Sequence, residues 1–179
     1  MPTSSSRRSL AVALLCVLCA IHIAAALYLQ RTVSANIVPI GDMVPTIKGM
    51  TLDGRSFMQD TAETKKLALL FFTPTCVHCR EELENLERLR PRYRDNLGFL
   101  AVSLGNPELT RSVVAELHLG FPVVIDDRSK HNDALTVNVV PTMFLVDEYH
   151  ILRRQFVGKQ SSVEIERFLD QFIAEIAIK

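Results

Sequence analysis

Residues 67–79 of the sequence, LALLFFTPTCVHC, decide the fold. Their first half, Leu67 to Phe72, is a continuous apolar run, which is typical of a central strand buried on both faces of a sheet. Thr73-Pro74-Thr75 ends this strand, and we expect a helix to begin around Cys76. A buried strand that passes directly into a helix predicts an α/β arrangement.

The sequence on either side of this stretch keeps the alternation of strands and helices. The helix from Cys76 is expected to run to about Arg90, where Pro91 stops it. The other predicted elements are, in chain order, an entry hairpin around Asp53-Gly54, a strand at 99–104, a helix capped by Asn106 that runs to about Leu119, a strand at 122–125, a short helical stretch at 133–139, strands at 142–146 and 151–157, and a last helix that opens with the capping box of Ser161 and Glu164. This order predicts a central mixed sheet flanked by helices, parallel at first with an antiparallel edge.

Cys76 and Cys79 are the residues that carry the chemistry. A helix N-terminus offers unpaired N–H groups and about half a unit of positive charge, which stabilises a thiolate at Cys76. Because thiolates rather than thiols attack disulfides, we expect Cys76 to be the nucleophile and Cys79, one turn later, to resolve the mixed disulfide. His78 lies between them. When protonated, it can stabilise the thiolate further and make the pair more oxidising.

Other uses of this cysteine pair have less support in the sequence. A zinc site needs two more ligands, and the domain has no second C-x-x-C pattern and no pair of histidines at the usual spacing. A copper metallochaperone that uses both cysteines and a histidine is an alternative, as is a non-catalytic interaction module. A peroxidatic cysteine fits Thr73-x-x-Cys76 but lacks its upstream proline, because Leu69 occupies that position. We predict no bound metal and no cofactor.

The N-terminal region has the character of a membrane segment. Residues 10–29 carry no formal charge, and twenty helical residues span about the 30 Å of a bilayer's hydrocarbon core. Arg7 and Arg8 precede the segment and only Arg31 follows closely, so the positive-inside bias places the N-terminus in the cytoplasm. The predicted organisation is a cytoplasmic N-terminus at 1–9, a transmembrane signal-anchor at 10–29, a linker at 30–40 and one domain at 41–179.

The first segment has an alternative reading as a cleaved signal peptide, with small residues for the peptidase at Ala24-Ala25-Ala26. The apolar region of a signal peptide is usually about 7–15 residues long, so we favour the uncleaved anchor. Either reading exports the domain, to the periplasm or another extracytoplasmic space. Cys16 and Cys19 share one face of this segment and are interpreted as small membrane-compatible residues rather than a second redox pair.

The distribution of charge excludes one class of function. The chain has 20 basic and 20 acidic residues, and because no acid precedes Asp42, residues 32–179 hold 17 bases against 20 acids. That balance leaves no basic stripe for a phosphate backbone. We therefore predict that the protein binds no nucleic acid.

From residue 41 to residue 177 the sequence resembles the TlpA/ResA/CcmG group of membrane-anchored, thioredoxin-like oxidoreductases, with some features similar to MauD-like proteins. The resemblance rests on Gly41-Asp42-x-Val44-Pro45, Leu52-Asp53-Gly54, the strand into Cys76-x-x-Cys79, Arg80 and Glu82, and Val140-Pro141-Thr142-x-Phe144-Leu145-Val146-Asp147. It implies a thioredoxin-like fold. The chain departs from the group's usual pattern at Leu70, Thr75, Glu84 and His150.

The resemblance also implies roles for residues outside the cysteine pair. Pro141 is expected to be cis and to lie opposite the cysteines, so that Val140 offers free backbone groups to an extended substrate. Thr75, which stands where an aromatic residue is usual, belongs to the same substrate-binding surface. Glu82, which shares a helix face with Cys79, is expected to be partly buried and to exchange protons with the thiols. The other acids of this helix are expected to form a solvated face: Glu81, Glu84 and Glu87.

These observations predict a membrane-tethered thiol–disulfide oxidoreductase that acts on other exported proteins with disulfides or thiols and contacts the lipid bilayer through residues 10–29. By resemblance, reduction is the expected direction, for example in the maturation of cytochrome c or other metalloenzymes, with electrons from a membrane thiol donor. A thiol oxidase or isomerase is the alternative, because His78 favours oxidation.

Overall fold

The computed structural model of the protein describes residues 13–26, 38–59, 65–126 and 137–175. The chain divides into two units, Met1–Asn36 and Ile37–Lys179. In the first unit residues 13–26 form helix α1, which carries Cys16 and Cys19 as free thiols. No helix in the described part of the chain combines the length and the apolar character needed to cross a bilayer. The predicted span at 10–29 extends beyond the described residues at both ends and stays a prediction.

The second unit contains one seven-stranded mixed sheet and three described helices. Its elements are β1 (Lys48–Thr51), β2 (Ser56–Met58), β3 (Lys66–Phe72), α2 (Val77–Tyr93), β4 (Leu97–Ser103), α3 (Pro107–Glu116), β5 (Val123–Ile125), β6 (Thr142–Val146), β7 (Leu152–Val157) and α4 (Ser162–Ala174). The strand order across the sheet is β2-β1-β5-β4-β3-β6-β7.

Strand directions confirm the predicted mixture and add to it. β3, β4 and β5 are parallel, whereas β6 and β7 form the predicted antiparallel edge. The entry hairpin of β1 and β2 is also antiparallel, and its strand β1 pairs antiparallel with β5. An antiparallel strand pair therefore flanks the parallel centre of the sheet on each side. The sequence did not indicate that the hairpin joins the main sheet, because its strands are short and half exposed.

Strand β3 lies near the centre of the sheet and is buried on both faces, as its apolar run predicted. Ala68, Leu70 and Phe72 belong to the core cluster that includes the inner faces of α2, α3 and α4. Leu69 and Phe71 belong to the cluster on the opposite face. This division follows from the strand geometry, in which successive side chains point to opposite faces.

Helix α2 does not stop at Pro91, so the predicted end of this helix is wrong. The proline removes one intrahelical hydrogen bond, yet the helix continues to Tyr93. Tyr93 is buried in the core, and its hydroxyl donates a hydrogen bond of 2.7 Å to Asp170 on α4. Packing against α4 therefore holds a last turn that the local sequence disfavours.

Two other predicted boundaries differ from the structure. Helix α3 ends at Glu116 rather than near Leu119, because Leu117 caps it and His118 takes a left-handed backbone conformation with φ of 50°. The helical stretch predicted at 133–139 falls mostly outside the described residues, and its described part, 137–139, is not helical.

Candidate active site

The two cysteines of the C-x-x-C motif lie at the N-terminus of α2. Cys76 is the N-cap residue of the helix, with φ −83° and ψ 114°, and its sulfur accepts a hydrogen bond of 3.1 Å from the backbone N–H of Cys79. The two residues form a disulfide with their Cα atoms 5.2 Å apart. The sulfur of Cys76 thus occupies the position where a helix presents its unpaired N–H groups and its positive end.

The two cysteines differ in their exposure to solvent. Cys76 is half-buried and lies between the exposed residues Thr75 and Val77, whereas Cys79 has no exposed surface and joins the core below. Of the two cysteines, only Cys76 therefore has surface that another protein could contact. This difference fits the predicted roles of Cys76 as nucleophile and Cys79 as resolving residue.

The turn before Cys76 is held by the neighbouring strand connection. The backbone N–H of Cys76 donates to the carbonyl of Thr73 at 3.1 Å, and that of Leu104 donates to the carbonyl of Phe72 at 2.8 Å. Gly105 lies directly against the ring of Pro74, and a Cβ atom at this position would clash with the ring's Cδ and Cγ atoms. The end of β3 is thus fixed by backbone contacts and by a close approach that needs glycine.

Glu82 is a buried carboxyl group one helical turn after Cys79. Its side chain is 1% exposed, and neither carboxylate oxygen has a hydrogen-bond partner of good geometry among the described residues. Burial raises the pKa of Glu82 to about 7, and the nearby backbone amide of Gln160 opposes this rise in part. A carboxyl group with this pKa exchanges protons readily near neutral pH.

The segment before β6 contains the cis peptide bond that the resemblance implied, between Val140 and Pro141. Pro141 is buried, and its carbonyl accepts a hydrogen bond of 2.8 Å from the N–H of Gly158. Val140 packs against the same core cluster as Cys76 and Cys79. Its backbone makes no hydrogen bond to any part of the chain that the structure describes.

His78 is exposed and lies beside an acid of its own helix. Its Nδ1 atom is 3.7 Å from Oε2 of Glu81, and the same oxygen forms an ion pair with the ammonium group of Lys159. The structure therefore places His78 next to Glu81, and the pair with Lys159 lowers the pKa of Glu81.

Two members of the predicted acidic face, Glu81 and Glu87, are partly exposed and form ion pairs. Glu81 pairs with Lys159, as described above, and Glu87 pairs with Arg90 and accepts a hydrogen bond of 2.8 Å from the N–H of Gly120. Glu84, the third member, is exposed. The partners Lys159 and Gly120 are distant in sequence, so the helical pattern alone could not indicate them.

Sequence reasoning also missed the segment Gly158–Ser161, which connects β7 to α4 and lies beside Glu82. Its signal was present in the sequence, because Gly158 and the capping box of Ser161 fix both ends of a short turn.

Among the residues that the structure describes, no group of three metal-binding side chains occurs.

Comparison with known proteins agrees with this geometry. The profile of the AhpC/TSA family matches residues 40–155. Thioredoxin-like protein YneN of Bacillus subtilis is 30% identical over 148 residues, which cover 79% of this chain and 86% of that protein. Thiol-disulfide oxidoreductase ResA of Geobacillus kaustophilus is 30% identical over 135 residues, which cover 74% of this chain and 78% of that protein.

Solved structures support the same fold. The crystal structure of a thiol:disulfide interchange protein of the thioredoxin family from Chlorobium tepidum superposes with a TM-score of 0.66. The match covers 76% of this chain and 99% of that one, at 17% sequence identity. At this level of identity the likeness establishes a thioredoxin-like fold.

Proposed function

The chain is a thioredoxin-like member of the AhpC/TSA family, and on that premise we propose that it is a membrane-tethered thiol–disulfide oxidoreductase that reduces disulfides of exported proteins. One observation carries the proposal. A disulfide at the start of α2 pairs a partly exposed residue, Cys76, with a fully buried one, Cys79. This asymmetry suits exchange with another protein rather than a purely structural bridge.

The proposed reaction begins with the reduced pair. The thiolate of Cys76 attacks one sulfur of a substrate disulfide, so that a mixed disulfide forms and the other substrate sulfur leaves as a thiolate. The thiolate of Cys79 then attacks the sulfur of Cys76 and releases the second substrate sulfur. Two electrons pass to the substrate, the protein is left with its Cys76–Cys79 disulfide, and a membrane thiol donor returns the two electrons.

Glu82 serves in this scheme as the proton acceptor for Cys79. The thiol of Cys79 is buried in the core, where it must lose a proton before it can attack. Glu82 lies on the same face of α2, one turn further on, and its pKa of about 7 leaves a useful fraction ionised at neutral pH. His78 and the N-terminus of α2 favour the thiolate form of Cys76.

Substrate binding is assigned to the surface around Cys76. The open backbone of Val140, beside the buried Pro141, can pair with an extended segment of the substrate as a strand pairs with a sheet edge. Thr75 is exposed next to Cys76 and leaves this surface less bulky than an aromatic residue would.

The location is part of the proposal. Residues 10–29 are uncharged and follow Arg7 and Arg8, which supports an anchor with a cytoplasmic N-terminus and an extracytoplasmic domain. An oxidising compartment also supplies protein disulfides as substrates.

A Cys79→Ala variant of the full chain tests this function. Without the resolving thiol, the mixed disulfide at Cys76 cannot be released, so covalent adducts with exported proteins should accumulate and should disappear on treatment with dithiothreitol. Non-reducing electrophoresis and mass spectrometry of the adducts measure this. The matched Cys76→Ala variant should form none. If Cys79→Ala captures no partner under either oxidising or reducing conditions, the exchange function is wrong.

A further inference from the structure

The segment Gly158–Ser161, here called the 158–161 loop, contacts two parts of the site, Pro141 and Glu82. The N–H of Gly158 donates to the carbonyl of Pro141 at 2.8 Å, and the backbone amide of Gln160 approaches the carboxylate of Glu82. Ser161 caps α4 through its reciprocal hydrogen bonds with Glu164. The loop therefore lies both against Pro141, in the segment proposed to bind the substrate, and against the buried carboxyl group of Glu82.

Lys159 is the loop residue that ties this segment to α2. Its ammonium group forms an ion pair with Oε2 of Glu81, the residue next to Glu82. Exposed ion pairs usually contribute little to stability. Here, however, the oxygen that Lys159 contacts is shielded from solvent, although both side chains as a whole are about half exposed. The pair thus closes the loop onto the helix at the point where Glu82 enters the core.

We propose that Lys159 is a positioning residue for the proton-transfer step: its ion pair with Glu81 holds the 158–161 loop over Glu82 and keeps water away from that carboxyl group. The inference rests on the proposed role of Glu82 as the proton acceptor for Cys79. Lys159 touches neither the cysteines nor the substrate in this scheme. It acts through the loop.

A direct electrostatic role for Lys159 would have the opposite sign, which makes the inference testable. A positive charge near Glu82 favours its ionised form, so the loss of that charge alone would raise the pKa of Glu82. Loss of the ion pair frees the loop, admits water to the carboxylate and lowers the pKa of Glu82, because burial is the main cause that raises it. Besides Glu82 itself, the titratable groups that contact one another at this point are Glu81, His78 and Lys159.

The experiment is a titration of Glu82 in the oxidised full-length chain in detergent micelles. Side-chain carboxyl carbons of glutamate are labelled with ¹³C, and the Glu82 signal is identified by its loss in Glu82→Gln. We expect Lys159→Gln to lower the pKa of Glu82 by about one unit, a tenfold change in proton affinity. Lys159→Arg should keep the ion pair and the wild-type pKa. Lys48→Gln, an exposed lysine on β1, is the matched control and should also leave it unchanged.

Two results would overturn the inference. A rise of the Glu82 pKa in Lys159→Gln would assign Lys159 a purely electrostatic effect, and an unchanged pKa would make the ion pair a simple surface contact. The titration needs no substrate, so its outcome is separate from that of the Cys79→Ala experiment. Capture of no partner would reject the exchange function, whereas a lowered pKa of Glu82 in Lys159→Gln would still establish that Lys159 positions the loop.

Discussion

At the scale of single residues, the buried Glu82 carries the most information. The sequence predicted its burial through resemblance and through the helical spacing from Cys79, and its side chain is indeed almost fully buried. The sequence could not indicate the surroundings that keep it buried, because the 158–161 loop is about 80 positions away along the chain. Because of the same separation along the chain, the sequence could not indicate that Lys159 pairs with Glu81.

Glu82 should make the stability of the oxidised protein depend on pH. Its pKa is about 7 in the folded protein against 4.5 as the ordinary value, so the folded form holds a proton that the unfolded chain has released between these values. The stabilisation is therefore complete below about pH 4.5 and is lost as the pH rises through 7. From pH 5 to pH 8 the free energy of unfolding should fall by about 2.5 kcal/mol from this cause.

Urea unfolding of the Glu82→Gln variant at both pH values measures the effect. The variant should lack this part of the pH dependence and should be more stable than the wild type at pH 8. Glu84→Gln, an exposed glutamate on the same helix, should keep the wild-type slope. An unaltered slope in Glu82→Gln would mean that the carboxyl group is not protonated at neutral pH.

At the scale of elements, hydrophobic pattern predicted the strands better than the helix ends. The apolar run was sufficient to predict β3, because a strand that is buried on both faces of a sheet carries apolar residues at nearly every position. The end of α2 was set instead by the contact of Tyr93 with Asp170 on α4, which no local pattern reveals. The left-handed conformation of His118 likewise ends α3 earlier than its apolar residues indicated.

The contact of Gly105 with Pro74 predicts a specific sensitivity in the connection after β4. Gly105→Ala places a methyl group into the ring of Pro74, so the turn that leads to Cys76 must shift. We expect the free energy of unfolding to fall by about 1–3 kcal/mol, together with a slower reaction of the reduced Cys76 thiol with a disulfide reagent. Gly98→Ala on β4 is the control, because its new methyl group would meet only ordinary contacts. Equal effects of the two substitutions would show that the Pro74 contact is unimportant.

At the scale of the whole molecule, the order of strands and helices was sufficient to predict a mixed α/β sheet. The position of the C-x-x-C motif, between a buried strand and a helix, was sufficient to predict that the protein is a thiol–disulfide oxidoreductase. What the order could not supply was the place of the β1–β2 hairpin, which pairs with β5 through only two residue pairs. The chain divides into two units between Asn36 and Ile37, and the domain bounds 41–179 stay a prediction.

The proposed membrane anchor predicts that the full chain stays with the membrane fraction after alkaline carbonate extraction. Leu18 is near the middle of the uncharged segment, and Leu18→Asp should reduce membrane insertion, because an aspartate at the centre of a spanning helix costs about 3 kcal/mol. Immunoblots of extracted membranes measure the retained fraction. Leu18→Ile should be retained like the wild type. Full retention of Leu18→Asp would contradict an anchor at 10–29.

Cys76 caps helix α2 with the same sulfur atom that reacts, so the redox state of the protein and the integrity of its helix are coupled. A thermodynamic cycle follows. Whatever the folded chain does to favour the dithiol over the disulfide must appear, with equal magnitude, as a difference in unfolding free energy between the two oxidation states. For a two-electron couple, about 1.4 kcal/mol of that difference corresponds to about 30 mV in reduction potential. Paired denaturation curves of the oxidised and reduced protein therefore report how strongly the fold biases electron flow, without any substrate or partner being known.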